Sequence, residues 1–344
     1  MSRMLALPIL LALAYSSAHA EDPKPIRVGV LGLDNYQAVA YTQLFNSPKT
    51  SPELSGLRVV AAYASPASED IEESKISLPK WKTQIVGYGV KLVDSVEELL
   101  KECDVVMIMS LDGRKHREQA AAVLKAGKRL YIGRPMAAQW DDAVAIVKLA
   151  EETKTPCWTS SQHRFSPGFS GMRNHPEVGK VLGCDVYGGC PMVPSHADLY
   201  WHALHSVETL YAIMGTGCVS VSCTSTPIAE SITGVWEDGR VGTYRGIKKG
   251  AIKYSATVFG EKGVSVSGIY GHGAPTKGVV PTNDKYMGYE GIAIEMVKFF
   301  KGGEAPVSMA ETLEIFAFME AAHESKKKEG ATIRVADILK KAKK

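Results

Sequence analysis

A histidine and an acidic residue stand three positions apart in an apolar stretch, at His205 and Glu208. An imidazole can accept a hydroxyl proton while hydride leaves the same carbon, so a histidine suits the oxidation of an alcohol. The pair also has a purely structural interpretation, in which a half-buried His205 is hydrogen-bonded by Glu208 one helical turn further on. Both interpretations need a helix here, and the pattern predicts one from about Leu199 to Met214.

A second constellation adds two histidines, His196 and His202, to the same pair. His202 and His205 would lie on one face of the predicted helix, and zinc accepts imidazole and carboxylate ligands. The spacing matches no standard zinc signature, so we predict no metal.

The first predicted strand leads into a helix through Gly32-Leu33-Asp34-Asn35-Tyr36-Gln37, where a dinucleotide-binding G-x-G-x-x-G turn would lie. Only the first glycine, Gly32, is present. Asp34 replaces the second glycine, where a carboxylate adds bulk and repels phosphate. No acid that could bind a ribose closes the second strand, which ends in Tyr63-Ala64-Ser65. The turn also fits a plain strand-to-helix connection in which Asp34 or Asn35 caps the helix.

A longer pattern of loops and elements runs from Cys103 to Pro135. It consists of a strand, the loop Ser110-Leu111-Asp112-Gly113, His116, a helix, Ala126-Gly127-Lys128, a second strand and Gly133-Arg134-Pro135. This segment resembles the glucose-fructose oxidoreductase and inositol dehydrogenase family (Gfo/Idh/MocA). In that family a loop, a histidine, an alanine-rich helix ending in Ala-Gly-Lys and a Glu-Lys-Pro tripeptide follow in this order.

The resemblance implies catalytic roles for Arg134, His205 and Glu208. Arg134 takes the place of the lysine that lies beside the nicotinamide and the substrate hydroxyl. Arginine is essentially never deprotonated, so it could orient an anionic or hydroxylated ligand but cannot shuttle a proton. In the family pattern Asp-x-Gly-x-His-x-x-Asp, His205 is the histidine, Glu208 the second acid and Trp201 stands in place of the first acid.

The resemblance also implies NAD or NADP as the cofactor, bound between the domains. The residues expected at the cofactor are Gly32, Asp34, Asn35, Ser110, Asp112, His116, Gly133 and Pro135.

The elements that must position these residues alternate between short apolar strands and amphipathic helices as far as Ser161. The predicted strands are 26–31, 57–64, 90–93, 103–109, 129–132 and 156–160, and the clearest helices are 114–126 and 139–153. This order predicts an α/β fold with an N-terminal Rossmann-type, doubly wound parallel sheet.

After Ser161 the pattern changes to hairpin-connected strands, with Glu237-Asp238-Gly239 as a strong turn signal. A C-terminal α+β domain with a mostly antiparallel open sheet is predicted. Its strands are 220–224, 232–236, 241–245, 252–259 and 264–268, and two helices, 289–300 and 309–325, follow. The predicted division is a signal peptide over residues 1–20, a dinucleotide-binding domain over 21–161 and a substrate and oligomerisation domain over 162–344.

The N-terminus has the features of a Sec-type signal peptide. Arg3 precedes an apolar run from Met4 to Tyr15, and Ala18-His19-Ala20 fits the signal peptidase rule. The run is shorter than the roughly 20 residues that span a bilayer. We therefore expect cleavage after Ala20, a periplasmic or extracellular location and no membrane association of the mature chain.

The formal net charge is +3, and the basic residues form no stripe with interleaved aromatics, so no nucleic acid partner is expected. The expected partners are a small, sugar-like molecule and, from the resemblance, further copies of the chain. Of the six cysteines, we consider only Cys184 and Cys190 as candidates for a local disulfide.

Three functions fit these observations. The first is hydride transfer to or from a carbohydrate-like hydroxyl compound. The second is a catalytically degenerate, exported ligand-binding protein of the same fold, favoured by Asp34, Arg134 and Trp201. The third is nicotinamide-assisted glycoside hydrolysis, in which the cofactor is reused within one turnover.

Overall fold

The structure is a computed structural model that describes residues 24–166, 169, 171–173, 175–268 and 289–342. The predicted signal peptide lies outside the described residues. Within them, none of the helices is both long and apolar enough to cross a membrane.

The first part of the chain forms a six-stranded parallel sheet in the order β3-β2-β1-β4-β5-β6. The strands are β1 Ile26–Leu31, β2 Leu57–Tyr63, β3 Lys91–Val93, β4 Val105–Ile108, β5 Leu130–Ile132 and β6 Cys157–Thr159. Their apolar residues are covered on both faces, as a parallel sheet requires. The predicted Rossmann-type sheet is confirmed, and each predicted strand lies within three residues of its observed limits.

Five helices connect these strands: α1 Tyr36–Asn46, α2 Glu72–Val86, α3 Val96–Glu102, α4 His116–Lys125 and α5 Trp140–Thr153. The Asn35 side chain caps α1 by accepting a hydrogen bond from the Gln37 amide, and Ser95 caps α3 in the same way through Glu98. The caps fix where each helix begins relative to the strand before it. Because the strands are parallel, the carboxyl ends of β1, β4, β5 and β6 meet at one edge of the sheet, where ligands of such sheets bind.

The second part forms a seven-stranded sheet in the order β12-β11-β7-β10-β9-β8-β13. Its strands are β7 Val181–Gly189, β8 Cys218–Ser225, β9 Ala229–Trp236, β10 Val241–Ile247, β11 Ser255–Gly260, β12 Val264–Gly268 and β13 Ile333–Arg334. All pairs are antiparallel except β7 with β10. The mostly antiparallel sheet is confirmed, and the turn at 237–239 joins β9 to β10. The sequence did not predict β7, which pairs with both β10 and β11.

Four helices complete the described chain: α6 Leu204–Met214, α7 Glu290–Phe300, α8 Met309–Lys327 and α9 Val335–Ala342. Helices α6 and α8 pack against the second sheet. Helix α7 returns to the first sheet, where Ile292, Met296 and Phe299 are buried in the same core as Val28 and Val30. Burial of each such side chain contributes about 1.5–3 kcal/mol, so α7 fixes the second half of the chain to the first.

Two local predictions need correction. The helix predicted from Leu199 begins at Leu204, after a short 3-10 turn at Asp198–Tyr200, so His202 precedes the helix that carries His205. Cys184 and Cys190 form no disulfide, and all six cysteines are buried thiols. Because β7 is extended through Cys184 and ends just before Cys190, these two residues are about 20 Å apart, beyond the reach of a disulfide.

Candidate functional site

Arg134 follows β5 directly at the carboxyl edge of the first sheet. Its side chain is half-buried, and its Nε and Nη1 atoms have no hydrogen-bond partner among the described residues. The guanidinium carbon lies 5.9 Å from the centre of the Trp201 ring, which is within the range of a cation–π contact. Burial lowers the pKa of Arg134, although an arginine stays charged throughout the ordinary pH range.

His205 lies in the first turn of α6 and is 4% exposed. Its Nδ1 is 2.6 Å from the hydroxyl oxygen of Ser161, at the end of β6. The ring stacks on His163 with 4.5 Å between centres, and the His202 ring is 5.9 Å away. His163 also contacts the ring of Tyr254 at 4.5 Å. These histidines therefore form one cluster.

The electrostatics of the cluster keep its histidines neutral. Burial lowers the pKa of His163 and of His202 to about 3, and the charge of Arg134 adds to the effect. Burial lowers the pKa of His205 well below 6.5, with further contributions from His163 and Arg134. Arg134 is thus in electrostatic range of all three rings, so the structure brings Arg134 and His205 to one place although 71 residues separate them in the sequence.

Glu208 does not hydrogen-bond His205. Its Oε2 accepts a hydrogen bond from the Ser160 hydroxyl at 3.1 Å and from Arg164 Nε at 2.8 Å. Arg164 also pairs with Glu311 of α8 at 2.5 Å. Burial raises the pKa of Glu208, against the effect of Arg164. The structural interpretation, in which Glu208 hydrogen-bonds His205, is therefore wrong: Ser161 is the partner of His205, and Glu208 belongs to a buried ion pair.

His196, the remaining member of the histidine set, has a partner of its own. Its Nε2 accepts a hydrogen bond from the Gly113 amide at 3.0 Å, and its Nδ1 lies 3.0 Å from the Ser195 hydroxyl. No group of three or more histidine, cysteine, aspartate or glutamate side chains in the described ranges is arranged to hold a metal ion.

The β1–α1 turn has one feature of a dinucleotide site and one departure from it. Gly32 has φ +91°, and a Cβ there would come within 2.4 Å of the Ser110 amide nitrogen, so only glycine fits. Asp34 is 2% exposed and tied inward. Its Oδ1 accepts a hydrogen bond from the Leu111 amide at 2.9 Å, and its Oδ2 accepts one from the Ser74 hydroxyl at 2.5 Å.

The β4–α4 loop is held to its neighbours by further hydrogen bonds. The ring nitrogens of buried His116 lie 2.9 Å from the Ser110 carbonyl oxygen and 2.8 Å from that of Pro135, which fixes this loop against the loop that carries Gly133 and Arg134. Burial lowers the pKa of His116.

Asp112 of the same loop accepts hydrogen bonds from Ser68 at 2.6 Å and from Arg114, which also pairs with Asp70. Burial raises the pKa of Asp112, but these hydrogen bonds outweigh it and hold the value at about 2. The loops that follow β2 and β4 are therefore tied to each other.

An apolar contact lies beside these hydrogen bonds. Ile71 and Leu111, from the loops after β2 and β4, are buried against Trp201, with Val193 packed alongside. Trp201 occupies the position where the resemblance places an acid. Together with the Asp34 and Asp112 contacts, it joins the loops after β1, β2 and β4 at this edge of the sheet.

Polar atoms without partners nevertheless line the same edge. Among the described residues they include Asn35 Nδ2, Gln37 Oε1, Gln119 Oε1, His163 Nδ1 and the two atoms of Arg134. Buried polar groups normally have partners, so this row indicates a place for a polar ligand. The sequence did not single out Ser161, His163 or Tyr254 as site residues. The available signal was that Ser161 and His163 directly follow a predicted strand of the parallel sheet.

The fold and this crevice define a class: two-part α/β proteins in which a Rossmann-type sheet faces a helix carrying a histidine. Residues 26–161 match the sequence model of the oxidoreductase family with an NAD-binding Rossmann fold, Gfo/Idh/MocA. The N-terminal part of the chain is therefore similar to the NAD-binding domain of this oxidoreductase family.

The comparisons also give relatives of known activity. The 4-carboxy-2-hydroxymuconate-6-semialdehyde dehydrogenase of Sphingobium sp. (strain NBRC 103272 / SYK-6) is 28% identical over 156 residues, which are 41% of this chain and 49% of that protein. The chain aligns with less than half of the length of this relative and of two further curated relatives.

Solved structures share the fold over most of the chain. An oxidoreductase from Agrobacterium radiobacter in complex with NAD⁺, L-tartaric acid and magnesium has a TM-score of 0.71 at 15% identity, covering 92% of this chain and all of that one. The scyllo-inositol dehydrogenase of Lactobacillus casei with bound NAD(H) and scyllo-inositol has a TM-score of 0.68 at 14% identity, covering 91% of this chain and all of that one.

Proposed function

We propose that the chain is an NAD(P)-dependent oxidoreductase that moves hydride between a nicotinamide and a hydroxyl-bearing carbon of a small polyhydroxy compound. The observation that carries the proposal is the meeting of Arg134 and His205 at the carboxyl edge of the first sheet. Arg134 lies 5.9 Å from the Trp201 ring, which is 5.7 Å from the His202 ring, and His202 is 5.9 Å from His205. The polyol ligand of the scyllo-inositol dehydrogenase supports a sugar-like substrate.

The row of unpartnered polar atoms fits a dinucleotide. Gly32, Asn35 and Ser110 would hold its phosphate end, while Gly133, Arg134 and Pro135 would surround its nicotinamide end. The buried His116 would act indirectly, by holding the Ser110 and Pro135 loops together. Asp112 would act indirectly, because its pairing with Arg114 keeps the β4–α4 loop in place. The cofactor, when bound, accepts or donates the hydride. Asp34 is the exception, since a carboxylate at this turn disfavours a phosphate and its present hydrogen bonds hold two loops together.

His205 is suited to hold the proton of the substrate hydroxyl. Burial keeps the ring neutral, and a neutral imidazole can act as a base. The role requires the tautomer in which Nδ1 donates to Ser161, because Nε2 then keeps its lone pair. Arg134 would orient the substrate without giving up a proton. Glu208 is a positioning residue, which fixes α6 through Arg164.

The test is a kinetic comparison of the wild-type protein with His205→Ala, using NAD⁺ or NADP⁺ and a panel of polyols and sugars followed at the nicotinamide absorbance. We expect turnover to fall roughly 10²-fold or more in the variant because the general base is lost. His175→Ala, outside the cluster, is the matched control and should keep wild-type turnover. Equal turnover in wild type and His205→Ala would refute the assigned role of the histidine.

A second function is favoured by one specific observation, the inward ties of Asp34 and Asp112. These ties use the polar groups of the cofactor loops within the chain, as expected of a degenerate, exported ligand-binding protein of this fold. Intact-mass and fluorescence analysis of the purified mature protein separates the two functions. Retained dinucleotide would exclude the degenerate protein, whereas no binding of NAD(H) or NADP(H) at millimolar concentration would support it.

We further propose that the chain is exported and cleaved after Ala20, on the strength of the Ala18-His19-Ala20 sequence. N-terminal sequencing of the native protein should begin at Glu21 or within a few residues of it. A soluble cytoplasmic form that retains Met1 would contradict this proposal.

A further inference from the structure

Arg134 carries a positive charge that no described residue neutralises by contact. Its Nε and Nη1 atoms are buried without a hydrogen-bond partner. A buried charge is normally paired, because an isolated one loses the solvation of water without compensation. The side chain as a whole is only half-buried, so a ligand can approach its outer part.

The acids nearest to the crevice are committed elsewhere. Glu208 is paired with Arg164, Asp112 with Arg114, and Asp34 accepts hydrogen bonds from Leu111 and Ser74. Glu73 is in electrostatic range of Arg134, but its side chain is solvent-exposed. The three buried carboxylates are therefore committed to other partners, and Glu73 makes no hydrogen bond or ion pair with the guanidinium.

The residue that faces Arg134 is Trp201 rather than an acid. An aromatic face attracts a cation more weakly than a carboxylate does, and it leaves the donors in the plane of the guanidinium unused. The neighbouring rings of His163, His202 and His205 are neutral and offer no negative charge. The surroundings therefore hold the guanidinium in place but leave its hydrogen-bonding edge for something else.

We propose that Arg134 binds the carboxylate of the substrate, so that the substrate class is a polyhydroxy acid, such as an aldonic, uronic or small hydroxy acid, rather than a neutral sugar. This inference rests on the proposed function, which it narrows. A guanidinium fork matches a carboxylate with two parallel hydrogen bonds, and His205 lies close enough to address a hydroxyl of the same small molecule.

The experiment is isothermal titration calorimetry of the mature protein, with and without NAD⁺, against matched pairs of ligands. D-Gluconate is paired with sorbitol, D-glucuronate with D-glucose and L-tartrate with L-threitol. We expect at least one carboxylate to bind more tightly than its neutral partner. Arg134→Gln should weaken that binding about 30-fold or more, as loss of one partner of a buried charge pair does, and Arg134→Lys should weaken it less.

Thermal unfolding of the same variants separates a ligand-binding role from a structural one. Removal of an unpaired buried charge should leave the melting temperature of Arg134→Gln equal to or above that of the wild type. A loss of both stability and binding would instead make Arg134 a structural residue and overturn the proposal. Arg58→Gln, an exposed arginine on β2, is the control and should alter neither quantity.

The outcomes also separate this inference from the proposed function. Carboxylate binding that depends on Arg134, without nicotinamide reduction by any bound acid, would sustain the inference and reject the oxidoreductase function. Turnover of neutral polyols at the wild-type rate in Arg134→Gln would instead reject the inference and sustain the oxidoreductase function. Failure of every carboxylate to bind, or binding equal to that of the neutral partners, would overturn the inference.

Discussion

At the scale of single residues, Asp34 has two effects on the cofactor turn. Its charge opposes a phosphate, and its hydrogen bonds to Leu111 and Ser74 hold the β4 loop and α2 against the turn. The first effect depends on the charge alone, and the second on the shape and acceptor atoms of the side chain. Substitutions that change one property at a time can therefore separate them.

We predict that Asp34→Asn, which keeps the shape but removes the charge, tightens dinucleotide binding about tenfold, equivalent to about 1.4 kcal/mol. Asp34→Gly, which also opens the loops, should tighten it at least as much. Calorimetry with NAD(H) and NADP(H) measures both. Ser74→Ala keeps the carboxylate but removes one of its hydrogen bonds, so any gain in this variant measures the second effect without the first. If neither Asp34 variant gains affinity, the turn binds the nucleotide in another way or not at all.

The sequence predicted part of this site at the residue level. The departure at Asp34 was visible because a motif gives the expected residue at that position. The partners of Asp34, His205 and Glu208 were not predictable in the same way. Ser161 and Arg164 lie more than 40 positions from His205 and Glu208, and only the packing of the turn at Gln162–Phe165 against α6 brings them together.

At the scale of elements, the histidine cluster links the end of β6 to α6 and to the segment before it. His163, His196 and His202 all have pKa values held between about 3 and 4, mainly by burial. An unfolded chain would titrate these residues near 6.5. The unfolded state therefore binds more protons than the folded state at every pH between 6.5 and about 4.

We predict that the free energy of unfolding decreases as the pH falls below 6.5. Each of these histidines contributes a slope of at most about 1.4 kcal/mol per pH unit. Urea unfolding between pH 7.5 and 4.5 measures the slope. His202→Gln should reduce it by the share of one histidine, while His175→Gln should not. A free energy of unfolding that is unchanged over this range would contradict the depressed pKa values.

The elements themselves were predictable to different degrees. Strands of the first sheet are continuous apolar runs flanked by turns, so their limits were close to those observed. Strand β7 was missed because its sequence, Val-Leu-Gly-Cys-Asp-Val-Tyr-Gly-Gly, contains three glycines and an aspartate, which disfavour strands. Its place between β10 and β11 is set by tertiary pairing, which outweighs this local preference.

At the scale of the whole molecule, one face of the second sheet is not covered by the described residues. Helices α6 and α8 pack on the other face, while Val241, Phe259, Val264 and Val266 are 38–64% exposed on this one. These side chains come from three strands of the sheet, and the resemblance implies a homo-oligomer built through this sheet. The expected occupant is a second copy of the chain, placed face to face.

We predict that the mature protein is a homo-oligomer and that Val241→Glu together with Val266→Glu converts it to monomers. Buried like charges facing each other across a symmetric interface would disrupt it. Light scattering after size-exclusion chromatography measures the mass. Ile76→Glu, an exposed apolar residue on α2, is the control and should leave the assembly intact. A wild-type protein that is monomeric in solution would contradict this prediction.

The hydrogen bonds of Asp34 and Asp112 between the loops also affect how the chain folds. Asp34 and Asp112 find their partners within the chain, so the loops after β1, β2 and β4 reach a hydrogen-bonded arrangement without an external ligand. Under the proposed export, the chain would fold in a compartment poor in nucleotides, and these internal contacts would order the loops there. The protein's ligand then competes with these internal partners, and the free energy needed to separate them is subtracted from the observed affinity. The fraction of the protein with bound ligand would accordingly depend on the local ligand concentration. The amount of folded protein would not depend on that concentration.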